Sequence, residues 1–172
     1  MPVAETGLIT VPGCRDKEGH LIVFVRPRLL DWDKYEVRDV VRLLWYLLDK
    51  ATDDPATGRD GFCVVNNAHD VAFGNLKSEL PRELIGGLVG AFPARLRAAF
   101  VLNQPWFMGA AITVISQLMP AKLYNKINIC GADPTALQAN VAMDQIPQEL
   151  GGTFIFDLDQ VLPGKLDYSQ AD

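Results

Sequence analysis

The chain has 172 residues, 49% of them hydrophobic and 22% charged, with a formal net charge of −5. That length suits one folded domain with a sizeable core, and the acidic total argues against nucleic acid, whose phosphate backbone selects basic surfaces. Cys14, Cys63 and Cys130 include no Cys-x-x-Cys pair, and residues 1–13 lack the basic and apolar regions of a secretory signal. A cytoplasmic, reducing setting is expected.

Leu21 to Val25 is a continuous apolar run ended by Arg26 and Pro27, as suits a strand covered on both faces. From Val37 the apolar positions Val40, Val41, Leu44, Leu47 and Leu48 recur at helical spacing, which predicts a helix ending near Lys50, with Asp31 or Asp33 as upstream caps. Residues 52–61, rich in Asp, Pro and Gly, read as an exposed connection, and 62–65 as a second strand. Leu80 and Pro81 open another helix whose apolar face holds Leu84, Ile85, Leu88, Val89 and Phe92, with Pro93 as terminator. A strand at 99–102, an apolar helix at 106–119, a strand at 127–130 and a helix at 134–141 complete the order. Alternating strands and helices predict an α/β domain with a mixed, mainly parallel sheet and flanking helices.

The stretch 98–121 carries no charge and is flanked by Arg95 and Arg97 on one side and Lys122 and Lys126 on the other. Asn103, Gln104 and Pro105 interrupt it, so it reads as a strand, a turn and a helix of about 21 Å, rather than a membrane span. A helix without a charged face has no side that prefers water, and it must lie against a core, a lipid or both. The grouped cations around it, on an acidic protein, are the groups a phosphorylated head group needs.

Other motifs carry less. Gly86, Gly87 and Gly90 lie inside a predicted helix rather than at a strand-to-helix turn, which favours close helix packing over a nucleotide loop. His69 and Asp70 are adjacent, and His20 lies far from them; neither histidine has the partners that catalysis or zinc binding requires. No catalytic residues, metal site or cofactor are expected, and the chain is not expected to be an enzyme.

Four blocks then stand out in order: Ala91-Phe92-Pro93-Ala94-Arg95-Leu96-Arg97, Val101-Leu102-Asn103-Gln104-Pro105-Trp106-Phe107, Asn125-Lys126-Ile127, and Ile146-Pro147-Gln148-Glu149-Leu150-Gly151-Gly152. Together they resemble the CRAL-TRIO lipid-binding family, with its aromatic-Pro-x-Arg/Lys-Leu element, Asn-x-Pro-aromatic strand end, basic residue before Ile, and closing Gly-Gly. The resemblance implies one lipid-binding domain over residues 8–165, with flexible termini at 1–7 and 166–172. It also implies an apolar cavity above the sheet, closed by a gate helix at 106–119. Carried over by motif, the cavity and gate residues are Phe92, Phe100, Leu102, Trp106, Phe107, Ile112, Ile115 and Met119. In one lipid-carrier branch four basic positions engage a phosphoinositide, and these fall on Arg95, Arg97, Lys122 and Lys126. Ala94 and Leu123 stand where a phosphatidylinositol-transfer branch carries Glu and Thr, so that branch's inositol-binding set survives only at Lys126.

The implied function is capture of a hydrophobic lipid and engagement of phosphoinositide membranes, for lipid transfer or lipid-dependent targeting. The protein would be cytoplasmic and transiently at membrane surfaces, without a transmembrane segment and without nucleic acid. The alternative is a scaffold of the same fold, with no stoichiometric lipid, that binds a small GTPase regulator or belongs to a larger parent protein.

Overall fold

The computed structural model describes residues 2–88 and 95–155. Its centre is a five-stranded sheet in the order β1-β2-β3-β4-β5. The short β1 (Ile9–Thr10) runs antiparallel to β2 (Leu21–Val25). Then β3 (Phe62–Asn67), β4 (Leu96–Leu102) and β5 (Ile127–Gly131) follow, each parallel to the strand before it. Because every crossover steps to the next neighbour with the usual right-handed sense, the crossover helices lie along one face. They are α1 (Val37–Thr52), α3 (Glu79–Leu88) and α4 (Met108–Leu118); α1 meets α3, and α3 meets α4.

Each face of the sheet has its own core. On the α1 side, Leu21, Val23 and Phe62 are buried with Val40, Leu43, Leu47 and Leu48. On the other side, Ile22, Phe24, Val65, Phe100 and Leu102 pack with Leu137, Val141, Ile146 and Leu150, contributed by α6 (Thr135–Asn140) and the segment after it. Between Phe62 and Cys63 the β3–β4 register shifts, so that Phe62 faces Leu96 but Cys63 faces Ala98. Arg97 is the extra residue of this bulge. Leu96 therefore joins the α1 core, while Ala98, Phe100 and Leu102 all turn to the other side.

Some expectations change. Residues 52–61 are not an open connection, because Asp54 accepts the Ala56 N–H at 3.0 Å and Pro55 starts α2 (Pro55–Asp60), burying Thr57. The same residues that mark a turn also cap a helix. Residues 2–6, expected within a loose terminus, form a 3-10 turn with Val3 and Ala4 buried in the α1 core. The strand expected at 99–102 begins at Leu96, and the gate helix at Met108, since Trp106 and Phe107 occupy the turn before it. A further turn of helix, α5 (Ala121–Tyr124), precedes β5. Of the three glycines, close packing holds at Gly87, where a Cβ would strike the Trp45 indole of α1; a Cβ on Gly86 would meet nothing within 4 Å, and Gly90 lies outside the described residues.

Candidate functional site

The turn into α4 is built from amides. Asn103 takes a left-handed backbone, φ 55°, a conformation Asn tolerates better than most residues. Its N–H donates to the Gly131 carbonyl at 2.6 Å, and its Nδ2 donates to Asn67 Oδ1 at 3.1 Å. Gln104 Oε1 in turn accepts the Gly131 N–H at 3.1 Å. These two residues do more than close a turn before Pro105. They tie together the carboxyl ends of β3, β4 and β5, where open α/β sheets carry their binding crevices.

From that anchor α4 runs with little of itself buried. Met108 packs with Ala68 and Val71, and Phe107 and Ile112 lean on the same small cluster. Ile115 and Met119 are half-buried, whereas Val114 is 50% and Leu118 37% exposed. On the sheet, pleat alternation turns Ala99 and Val101 away from Phe100 and Leu102, toward the face that carries α1, α3 and α4. Ile127 and Ile129 of β5 stand opposite Ala99 and Val101, and Ile129 is 43% exposed. Asn66, on the same face, holds a buried Oδ1 without a hydrogen-bond partner.

The expected lining is thereby corrected. Phe100 and Leu102 are fully buried in the opposite core and do not face α4. Trp106 is 93% exposed, ahead of α4, and lines no interior surface. Phe107, Ile112, Ile115 and Met119 lie on or beside α4, and Phe92 lies outside the described residues. Sequence reading missed Phe73, which is 77% exposed and meets Phe107 edge-on, with ring centroids 6.0 Å apart, while Trp106 meets Phe107 at 5.9 Å. No periodic signal marks Phe73, because it sits in a 3-10 turn.

The four basic residues gather at the other end of the strands. Arg95 precedes β4, Arg97 is its bulge residue, Lys126 directly precedes β5, and Lys122 lies on α5. Arg95, Arg97 and Lys122 are exposed. Arg97 Nε donates to the Asp60 carbonyl, and Lys126 Nζ to the Leu96 carbonyl at 2.5 Å. Two of the four cations therefore also hold the start of the strands together, Arg97 from an exposed position and Lys126 from a half-buried one.

A second cluster was invisible in the sequence. Asp16, His20 and Cys63 bring their ligand-type atoms within 4.8 Å of one another. His20 Nδ1 lies 2.8 Å from Asp16 Oδ2, and Cys63 Sγ donates to the same oxygen at 3.3 Å. Burial opposes the Asp16 charge, but hydrogen bonds from His20 and Cys63 outweigh it and hold the carboxyl below its ordinary range. Burial first, and the neighbouring Asp16 carboxylate second, push the Cys63 thiol up to about 12. Such a thiol is no nucleophile at neutral pH.

The closing motif fastens the far side. Glu149 accepts from Arg26 Nε at 2.7 Å, and the Arg26 side chain is only 7% exposed. Phe154 N–H donates to Ile146 O, and a Cβ on Gly152 would collide with that same carbonyl, so the Gly-Gly pair lets the chain fold back against Ile146.

This mixed, mainly parallel sheet with an underburied apolar helix beside it belongs to a chain whose residues 4–152 match the family model described as CRAL/TRIO domain. The chain belongs to the CRAL-TRIO family, which binds lipophilic ligands and transfers them. Among known proteins it is 28% identical over 153 residues to human tyrosine-protein phosphatase non-receptor type 9, covering 89% of this chain and 26% of the phosphatase. Over 154 residues it is 25% identical to human alpha-tocopherol transfer protein-like, covering 88% of this chain and 45% of that protein. Human clavesin-2 is 27% identical over 140 residues, covering 80% and 43%. The chain thus spans less than half of each of these relatives, and its likeness to the phosphatase is to that protein's CRAL-TRIO domain. The crystal structure of Sfh5 has the same fold, with a TM-score of 0.70 at 18% identity, covering 95% of this chain and 60% of the other. Among the described residues no helix is long and apolar enough to cross a membrane.

Proposed function

We propose that this domain holds one hydrophobic lipid between α4 and the β4–β5 face, and exchanges it at membranes whose phosphoinositides its basic edge engages. The observation that carries the reading is the mismatch on α4. Charge is absent from 98–121, yet of the helix only Met108 is buried, while Ile112 and Ile115 are half-covered and Val114 and Leu118 meet solvent. In water that arrangement is costly unless a further apolar body covers it. Ala99, Val101, Ile127 and Ile129 supply a matching apolar floor on the same side.

A hydrocarbon guest of about 16 carbons gains on the order of 12 kcal/mol from leaving water, before ordering costs. A charge-assisted hydrogen bond contributes about 1.5–3 kcal/mol. Affinity therefore comes from the interior, and choice of membrane from Arg95, Arg97, Lys122 and Lys126. Entry requires α4 to swing, and its exposed apolar side would rest on the bilayer while it does. The experiment is transfer of a fluorescent hydrophobic lipid from donor to acceptor liposomes. Transfer should rise with protein concentration and rise further when phosphoinositide is present. A rate equal to the protein-free control overturns the carrier reading and leaves the scaffold.

A further inference from the structure

We propose that Asp16, His20 and Cys63 form a site for a single divalent zinc-type cation, which would clamp the hairpin before β2 to β3. The donor set is the first reason. Thiolate, imidazole and carboxylate are the ligands that zinc accepts in tetrahedral sites. Charge is the second reason, because a carboxylate, a thiolate and a neutral imidazole sum to −2 and cancel the ion within a nearly dry site. Side-chain exposure is 8% at Asp16 and 10% at His20, and Cys63 is 2% exposed.

Geometry is the third. Zinc bonds of about 2.0–2.3 Å put tetrahedral ligand atoms roughly 3.3–3.8 Å apart. Here the oxygen lies 2.8 Å from the nitrogen and 3.3 Å from the sulfur, and all three atoms lie within 4.8 Å of one another, so side-chain rotations that part the oxygen from the nitrogen by roughly half an ångström would open the space for an ion. Asp16 is already fixed, since its Oδ1 accepts the backbone N–H groups of Glu18 at 3.0 Å and His20 at 2.8 Å. That leaves Oδ2 aimed at the other two donors, as outer hydrogen bonds commonly orient a ligating carboxylate. The fourth tetrahedral position is left to solvent water, on the side where the 82% exposed Glu18 lies with Oε2 3.8 Å from His20 Nδ1. On binding, the Cys63 S–H bond breaks, a metal–sulfur bond forms, and the proton leaves to solvent. The imidazole binds through Nδ1 with its proton on Nε2.

The test uses the full chain, stripped with chelator and titrated with cobalt(II) chloride. One saturating equivalent should appear with a thiolate-to-cobalt band in the near ultraviolet, and zinc should displace it. Cys63→Ser should abolish the band, Cys130→Ser should leave it, and Asp16→Asn should weaken binding at least about tenfold. Should Cys63→Ser fail to fold, thermal unfolding of the unaltered chain decides, with added zinc expected to raise the midpoint. No saturable binding, a band that survives Cys63→Ser, or a midpoint indifferent to zinc overturns the proposal and leaves a metal-free hydrogen-bonded lock.

Discussion

Gly86 and Gly87 are neighbours in one helix with opposite surroundings. Nothing lies within 4 Å of a Cβ built on Gly86, whereas one built on Gly87 runs into Trp45. Gly86→Ala should therefore stabilise the domain by up to about 1 kcal/mol through reduced unfolded-chain freedom. Gly87→Ala should cost about 1–3 kcal/mol by forcing α3 away from α1. Urea unfolding of the two variants checks both signs. Glu149 poses a different residue-scale question, because its carboxylate neutralises a guanidinium that is almost wholly buried. Glu149→Gln should cost about 2–3 kcal/mol, below the range for a fully buried pair since Glu149 itself is partly wet. A loss under about 0.5 kcal/mol would mean that Arg26 does not depend on it.

At the scale of elements, the bulge at Arg97 decides what β4 offers to each side. Phe100 is core on the α6 side and Val101 is floor on the α4 side. Phe100→Ala should destabilise by about 3–5 kcal/mol. Val101→Phe should change stability by less than about 1.5 kcal/mol, yet reduce lipid capture by filling the space under α4. Denaturant midpoints alongside lipid-loading measurements separate the two. Sequence alone could not assign these faces. Leu96 to Leu102 is apolar at all positions but one, and a strand covered on both faces carries no alternation to read. The elements themselves were legible: the run at Leu21–Val25 stands where its pattern placed it, and the helical spacing that became α1 and the uncharged stretch that became α4 stand within two residues of theirs. Helix α2 was hidden because Asp54-Pro55 signals a turn and a helix start alike. The Asp16–His20–Cys63 cluster was hidden because Asp16 and Cys63 are 47 positions apart and meet only through β2–β3 pairing.

For the whole molecule, an acidic chain with a cationic edge should find its membrane through local rather than total charge. Each Lys or Arg close to an anionic surface is worth about 1 kcal/mol, and salt screens it. Arg95→Ala and Lys122→Ala should each weaken binding to phosphoinositide vesicles about fivefold, with little change on neutral vesicles. Arg97→Ala and Lys126→Ala should also loosen the sheet edge, since both side chains bond backbone carbonyls there. Vesicle sedimentation at low and high salt checks this, and equal losses on both vesicle types would make the cluster ordinary surface. The pattern of basic residues was readable from sequence, but not the bonds that Arg97 and Lys126 make to backbone carbonyls, which depend on the bulge and on the approach of β5.

The central claim, that a guest lipid covers what α4 leaves bare, is tested most directly by native mass spectrometry of the purified chain with organic extraction of the same sample. The expected result is one hydrophobic lipid per chain, lost in Val101→Phe while the fold is retained. A bare polypeptide mass that persists after incubation with lipid vesicles would contradict it.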